Sequence, residues 1–251
     1  MKVLLSTRTH PPQAVEAIAL ELGFDGIEVV MPSRIKRMAP VNYDGLTHVY
    51  AVHAPLDYYD SPRFSQALKD AVAVAGQLGA TLVTIHPPSA HPSCGGAMNV
   101  HQGLHLLKNY AVLHRCTIAC EVLSRPKTPV HELQQAYRAP RYWLLDIVQH
   151  EVAATLDTTH VAAWNEDPTQ YIGLLNQRLR HVHVSDYARK DQVEHLFPGT
   201  GDLNWPEFLG ALRQQSQQQE ISITLEPGAR FDLVQHRDHL TESLALIRRY
   251  C

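Results

Sequence analysis

The sequence has no apolar run long enough to cross a membrane, and it has no Cys-x-x-C motif. Its four cysteines are scattered over 251 residues, and two of them, Cys116 and Cys120, lie in one apolar segment. This distribution is typical of reduced thiols in a core rather than of a disulfide framework. The apolar run at the N-terminus is too short for a secretory signal peptide, so we expect a cytoplasmic protein.

An excess of charge of one sign is also missing. The formal net charge is −3, with 19% charged and 45% hydrophobic residues. A chain of this balance is expected to be soluble and globular, and its charge does not favour binding to nucleic acid or to an acidic membrane.

No linker or shift in composition divides the chain, so we expect residues 1–251 to form a single domain. Short apolar segments alternate with helical patterns, which predicts parallel strands joined by right-handed crossovers. Eight such units in about 250 residues match the size of a (β/α)8 TIM barrel. An open doubly wound sheet is the alternative, but no Gly-rich phosphate loop follows the first segment. The predicted strands are 2–6, 24–30, 49–53, 81–86, 116–121, 152–157, 181–184 and 221–226.

Polar residues stand at the ends of several of these strands, in phase with one another. Because side chains alternate between the two faces of a strand, the apolar residues of each segment share the face that the helices would cover. The other face then lines the barrel and ends in Glu121, Asp157, His183 or Glu226. In a barrel these four side chains would meet at the carboxyl end, where the active sites of such folds lie.

Three carboxylates and one imidazole repel one another in a site of low dielectric, and a cation would relieve that repulsion. A ligand set of three oxygens and one nitrogen suits Mn2+, Mg2+ or Co2+. Zinc is a further candidate, particularly if His53, His86 and His160 also bind the metal. The sequence thus predicts one divalent metal ion.

The segments that carry these residues resemble the xylose-isomerase-like TIM barrels, a family that includes ketose 3-epimerases, other sugar isomerases and the endonuclease IV type of DNA repair enzyme. The similarity extends over nearly the whole chain. The segments concerned are VHAPL (52–56), IHPP (85–88), EVLSR (121–125), LDTTH (156–160), HVHVSDYAR (181–189), HLFPGTGDLNW (195–205) and TLEPG (224–228).

The resemblance implies roles for particular residues. In the family, the positions that match Glu121, Asp157, His183 and Glu226 bind the metal, and the two glutamates act as acid and base in the ketose epimerases. The residues that match His160 and Arg189 hold substrate oxygens there.

Two positions depart from the pattern of the family. Lys127 stands where the epimerases have a second glutamate, which weakens the case for a ketohexose. Val193 stands where the endonuclease branch has an aspartate that completes a site for three zinc ions.

Three other polar residues, His53, His86 and Glu28, each allow two interpretations. His53 and His86 each precede a proline-containing turn, and they could line the substrate site or only pack beside the barrel. Glu28 could line the substrate pocket or pair with a neighbouring arginine. We expect His195 to belong to the loop scaffold or the pocket rim.

We therefore expect a metal-dependent isomerase or epimerase of a small sugar or hydroxy-carbonyl compound, which works by proton transfer through an enediolate. The alternatives are a zinc phosphodiesterase of the endonuclease IV type and a barrel that binds a sugar without catalysis. Barrels of this family often pair, so a homodimer is one of the expected states.

Overall fold

A computed structural model describes residues 1–8, 10–32, 41–55, 61–87, 111–125 and 139–251, and the structural statements below concern these residues. The sequence also predicts helices over 99–114 and 129–150. Most of the first and about half of the second lie outside the described residues, as does Lys127. Within the described part of the chain, no helix is both long and apolar enough to cross a membrane.

Eight parallel strands close into a barrel in the order β1-β10-β7-β6-β5-β4-β3-β2. This arrangement confirms the predicted (β/α)8 fold and rules out the open doubly wound sheet, which would have two free edges. The barrel strands are β1 (Lys2–Ser6), β2 (Gly26–Val30), β3 (Val49–His53), β4 (Leu82–Ile85), β5 (Thr117–Glu121), β6 (Ala153–Asp157), β7 (Leu179–Val184) and β10 (Ser222–Leu225).

A short antiparallel hairpin, which the sequence did not predict, follows β7. Its strands are β8 (Asp186–Ala188) and β9 (Val193–Leu196), and they pair only with each other. Both Gln192 and His195 adopt a left-handed backbone there, with φ of 53° and 56°. The hairpin therefore folds this segment over the carboxyl end of the barrel.

Helices surround the barrel, and five of those described have proline as the first or second residue, where the missing N–H costs no hydrogen bond. The short helix that directly follows Asp157 was not predicted. The described helices are α1 (Pro12–Leu22), α2 (Ser61–Leu78), α3 (Pro140–Gln149), α4 (Thr158–Ala163), α5 (Pro168–Leu175), α6 (Trp205–Ser216) and α7 (Arg237–Tyr250).

The core has two layers that follow the predicted alternation of side chains. The large layer lies between strands and helices and includes Val52, Val83 and Ile118, while Leu4 and Ala119 belong to a small separate cluster inside the barrel. Small and polar residues at these inner positions leave space above them, and that space is where the ligand-type side chains at the strand ends lie.

Asp186, at the start of the hairpin, anchors the turn that leads from β9 to α6. Its carboxylate accepts N–H groups from the backbone of Tyr187, Gly199, Gly201 and Leu203, and from the indole of Trp205, at 2.8 to 3.1 Å. A Cβ atom on Gly201 would lie 2.5 Å from Asp186 Oδ1, so the Pro-Gly-Thr-Gly turn needs glycine there. This is a structural role, and the turn needs no phosphate to explain it.

We predict that Asp186→Asn lowers the free energy of unfolding by about 2–4 kcal/mol, because an amide group would face N–H donors that have no other acceptor. Chemical denaturation measures the loss. Asp202→Asn is the matched control: Asp202 is exposed and accepts a single backbone N–H, from Arg189 at 2.7 Å, so its loss should stay below about 1 kcal/mol. Equal losses in the two variants would contradict the anchoring role.

Candidate metal centre and substrate pocket

The four residues predicted to bind a metal lie together at the carboxyl end of the barrel. Each of Glu121, Asp157, His183 and Glu226 offers one ligand atom, and these atoms all lie within 4.8 Å of one another. His183 is central, with its Nδ1 at 3.0 Å from Glu121 Oε1 and 3.4 Å from Glu226 Oε2. All four side chains are buried.

Strand register produces this convergence. Asp157 stands beside His183 across β6 and β7, and His183 stands beside Thr224 across β7 and β10. Asp157 also caps α4, because its Oδ1 accepts the backbone N–H of His160 at 2.9 Å. Its Oδ2 is buried and has no hydrogen-bond partner, which is what a carboxylate oxygen reserved for a cation would show.

The charges of the cluster shift the pKa of its members in opposite directions. Burial and the neighbouring charges of Glu121 and Glu226 raise the pKa of Asp157 to about 7. Burial alone would raise the pKa of Glu121, but the facing His183 and His86 hold it well below its usual range. Without a cation, the cluster therefore keeps Glu121 ionised at the expense of Asp157. A divalent cation would remove that conflict, so the donor set fits a metal.

Further histidines surround the cluster and offer two more groups of ligand atoms. His53 and His86 each place Nε2 on the same oxygen of Glu121, at 2.8 and 2.9 Å from Oε2. On the other side, His160 and His195 form a group with Asp157 whose ligand atoms also lie within 4.8 Å of one another. The structure therefore brings His53, His86 and His160 to the metal cluster itself.

A cavity of about 790 Å3 opens above the cluster. It is large enough for a small sugar, and polar groups line its floor. His53, His86, Glu121, His160, His195 and Glu226 belong to that lining, together with Arg8, Ser124, Arg125, Asp191, Gln192 and Arg230.

Arg189 does not lie where a substrate clamp would have to be. Its side chain is exposed and lines a separate hollow with Asp202 and Trp205, beside α5 and α6. The prediction came from the resemblance to the family, in which the residue that matches Arg189 holds substrate oxygens. In this structure Arg189 follows β8 and lies away from the cavity, whereas the turn of the hairpin and His195 line it.

Glu28 also lies elsewhere than predicted. It is 1% exposed, is not among the residues that line the cavity, and contacts His181 and His183 instead of an arginine. A position on β2 one layer below the strand ends accounts for this, because the strand continues to Val30 before its own carboxyl end.

Arg8 was missed. It follows β1 and places Nη1 at 3.3 Å from Glu226 Oε1 and 3.2 Å from His195 Nε2. The signal was present in the sequence, because the predicted strand 2–6 ends in Ser6 and the polar residues Thr7 and Arg8 follow it, as polar residues do at the ends of the other strands.

His195 belongs to the centre rather than to the pocket rim. It is 7% exposed, and burial lowers the pKa of its ring to about 3, although Glu226 opposes the shift. Its ring therefore stays neutral and can act as a ligand or as a hydrogen-bond partner. Its place depends on the left-handed backbone of the hairpin, and no sequence pattern revealed that.

Residues 17–250 match the sequence model of the family described as xylose isomerase-like TIM barrel. An uncharacterized protein of Mycobacterium leprae (strain TN) is 24% identical over 290 residues, with 100% of this chain and 98% of the relative covered. The fold is similar to that of a D-tagatose 3-epimerase-like protein, at a TM-score of 0.72 and 20% identity, with 99% of each chain covered. It is also similar to the IOLI protein, whose structure holds a zinc atom, at a TM-score of 0.70 and 13% identity, with 100% of this chain and 99% of that chain covered.

We predict that the affinity for a divalent cation rises between pH 6 and pH 8. Asp157, with a pKa of about 7, and His183, whose pKa is raised well above its usual range by Glu28 and Glu121 against the effect of burial, must release protons to bind a metal. Each released proton contributes roughly a tenfold increase in affinity per pH unit below its pKa. Titration of the metal-free protein with Mn2+ or Zn2+ by calorimetry measures this slope.

The variant Asp157→Asn serves as the control, because it should bind the cation more weakly and with a shallower dependence on pH. An affinity of the unaltered protein that does not change with pH would contradict the proposed proton release.

Proposed function

The chain belongs to the family of xylose isomerase-like TIM barrels, and on this premise we propose that it is a divalent-metal-dependent isomerase or epimerase of a small sugar or hydroxy-carbonyl compound. One observation carries the proposal. Glu121 and Glu226 come from strands on opposite sides of β7, both line the cavity, and His183 lies between them. Two carboxylates in one cavity can exchange protons with the two faces of a bound substrate.

Glu121, Asp157, His183 and Glu226 would hold the metal, and Mn2+, Mg2+, Co2+ and Zn2+ all suit these donors. When bound, such a cation polarises the oxygens of a hydroxy-carbonyl group and so acidifies the neighbouring carbon. The two similar structures support this choice, because one is described as epimerase-like and the other holds zinc.

Both glutamates are held in the ionised form that a base requires. Burial opposes ionisation of Glu226, but Arg8 and His183 lower its pKa below the usual value. Arg8 Nη1 contacts Glu226 Oε1 at 3.3 Å, whereas Glu226 Oε2 faces His183 Nδ1 at 3.4 Å. Glu121 is surrounded by histidines in the same way.

His160 and Arg8 are the side chains best placed to orient substrate oxygens. His160 donates its Nδ1–H to Val122 O at 2.8 Å, which leaves Nε2 for another partner. Burial lowers the pKa of His160, but the charges of Asp157 and Glu121 outweigh this and raise it to about 9. A protonated His160 or the guanidinium of Arg8 would stabilise negative charge that develops on an oxygen of the substrate.

We predict that Glu121→Gln and Glu226→Gln each lower the exchange of solvent deuterium into substrate by about a hundredfold or more, because an amide cannot take up the proton. A panel of ketoses, incubated in deuterated water and followed by mass spectrometry, provides the measurement.

Because both glutamates are also metal ligands, the metal content and circular dichroism spectrum of each variant are measured in parallel, and lost metal is restored by excess cation. Full exchange in both metal-loaded variants would refute the assigned roles.

A second candidate is a phosphodiesterase of the endonuclease IV type. The additional groups formed by His53 and His86 with Glu121, and by His160 and His195 with Asp157, favour it because they could hold further zinc ions. Val193 and the net charge of −3 speak against it.

Metal counting separates the two candidates. We predict one tightly bound metal ion per chain by elemental analysis of the purified protein, since the four-residue cluster is the most complete donor set. Three ions per chain would favour the phosphodiesterase instead. Absence of metal, with no gain in melting temperature from Mn2+ or Zn2+, would point to a barrel that binds a sugar without catalysis.

A further inference from the structure

Glu28 is a buried carboxylate inside the barrel, below the metal cluster. Its Oε2 lies 3.0 Å from His183 Nε2 and 3.3 Å from His181 Nε2, and its Oε1 has no hydrogen-bond partner. Burying an ionised carboxylate destabilises the fold unless another group compensates its charge. The group that it faces is the only imidazole of the four-residue metal cluster.

We propose that Glu28 is a positioning residue for the metal centre, which keeps the ring proton of His183 on Nε2 and so presents Nδ1 to the cation. The inference rests on the metal centre proposed above and assigns the atom by which His183 binds.

The two nitrogens of His183 face different surroundings. Nδ1 points to the cluster, at 3.0 Å from Glu121 Oε1, 3.4 Å from Glu226 Oε2 and 3.8 Å from Asp157 Oδ2. Nε2 points to Glu28. Although the contact at 3.0 Å lacks the alignment of a regular hydrogen bond, an unprotonated Nε2 would set a lone pair against a carboxylate. That repulsion places the proton on Nε2 and the lone pair on Nδ1.

Neighbouring rings hold the orientation of His183. The ring of His53 stacks on it, with centroids 5.6 Å apart and planes inclined by 27°, and the ring of His181 meets it edge-on at 5.0 Å. These contacts prevent the ring from turning over, so the environment of Glu28 determines the tautomer.

His181 in turn fixes Glu28. The Nε2 of His181 lies 3.3 Å from Glu28 Oε2, within hydrogen-bond distance. Its Nδ1 lies 2.7 Å from Ser222 Oγ and its Nε2 lies 3.1 Å from Thr224 Oγ1. The polar line from Ser222 through His181 and Glu28 to His183 explains why β7 holds a histidine in the inner layer, where β3 and β5 have the small residues Ala51 and Ala119.

Glu28→Gln tests the inference, because it keeps the size of the side chain and removes its charge. We expect the affinity for Zn2+ and Mn2+, measured by competition with a chelating indicator, to fall about 10- to 100-fold. Glu16→Gln is the matched control. Glu16 is also a buried carboxylate, but it accepts the backbone N–H groups of Thr47 and His48, at 2.8 and 2.6 Å, away from the centre. The Glu16→Gln variant should be less stable than the unaltered protein and should bind the metal with the same affinity.

The tautomer of His183 distinguishes the proposed role of Glu28 from a purely structural one. Long-range 1H–15N correlation spectra of the zinc-loaded protein should show His183 with its proton on Nε2 and the metal on Nδ1, with His183→Asn used for assignment. This measurement uses the unaltered protein, so it decides the question even where Glu28→Gln fails to fold.

A proton on Nδ1, or an unchanged affinity in folded Glu28→Gln, overturns the role of Glu28 and leaves the metal centre standing. An unaltered protein that binds neither Zn2+ nor Mn2+ overturns the metal centre, and this inference with it.

Discussion

Electrostatic repulsion among buried carboxylates at one end of the barrel is the constraint on which the rest of this structure depends. Three acidic side chains and their neighbours share a space in which their ligand atoms lie within 4.8 Å of one another. The protein answers with cationic and neutral nitrogen groups from almost every side: Arg8 from β1, His53 from β3 and His183 from β7. This balance leaves Asp157 Oδ2 without a hydrogen-bond partner, and that oxygen marks the place of the proposed cation most clearly.

The polar groups form a continuous path through the barrel rather than a patch on its end. Ser222 lies at the start of β10, and His181 and Glu28 lie between it and the metal cluster. In a barrel of this size the interior is normally filled by branched apolar side chains. Here His181 and Glu28 occupy the layer below the metal cluster and contact one another and His183. The geometry of the site therefore depends on residues that do not themselves contact a ligand.

The sequence predicted the fold and the convergence of the four central side chains, because strand period and strand ends are local properties. Glu121 and Asp157 could be placed by counting alternate residues, and the predicted strands agree with the observed ones within about two residues. The positions of His195 and Arg189 could not be predicted, because they depend on the backbone conformation of the β8–β9 hairpin. The β8–β9 hairpin requires left-handed residues at Gln192 and His195, brings the His195 ring inward and carries Arg189 outward. Glu28 was misplaced because the sequence does not reveal which side chains meet across the barrel interior, here His181 and His183 of β7.

The turn of the hairpin lies apart from the four central residues. The barrel strands carry the proposed ligand and acid/base groups, whereas Asp191 and Gln192 line the cavity from the turn of the hairpin, whose two strands pair only with each other. Substitutions at this tip could alter which molecules enter without disturbing the groups that react with them. Evolution or protein engineering could therefore change substrate preference through this turn and leave the four central residues unaltered.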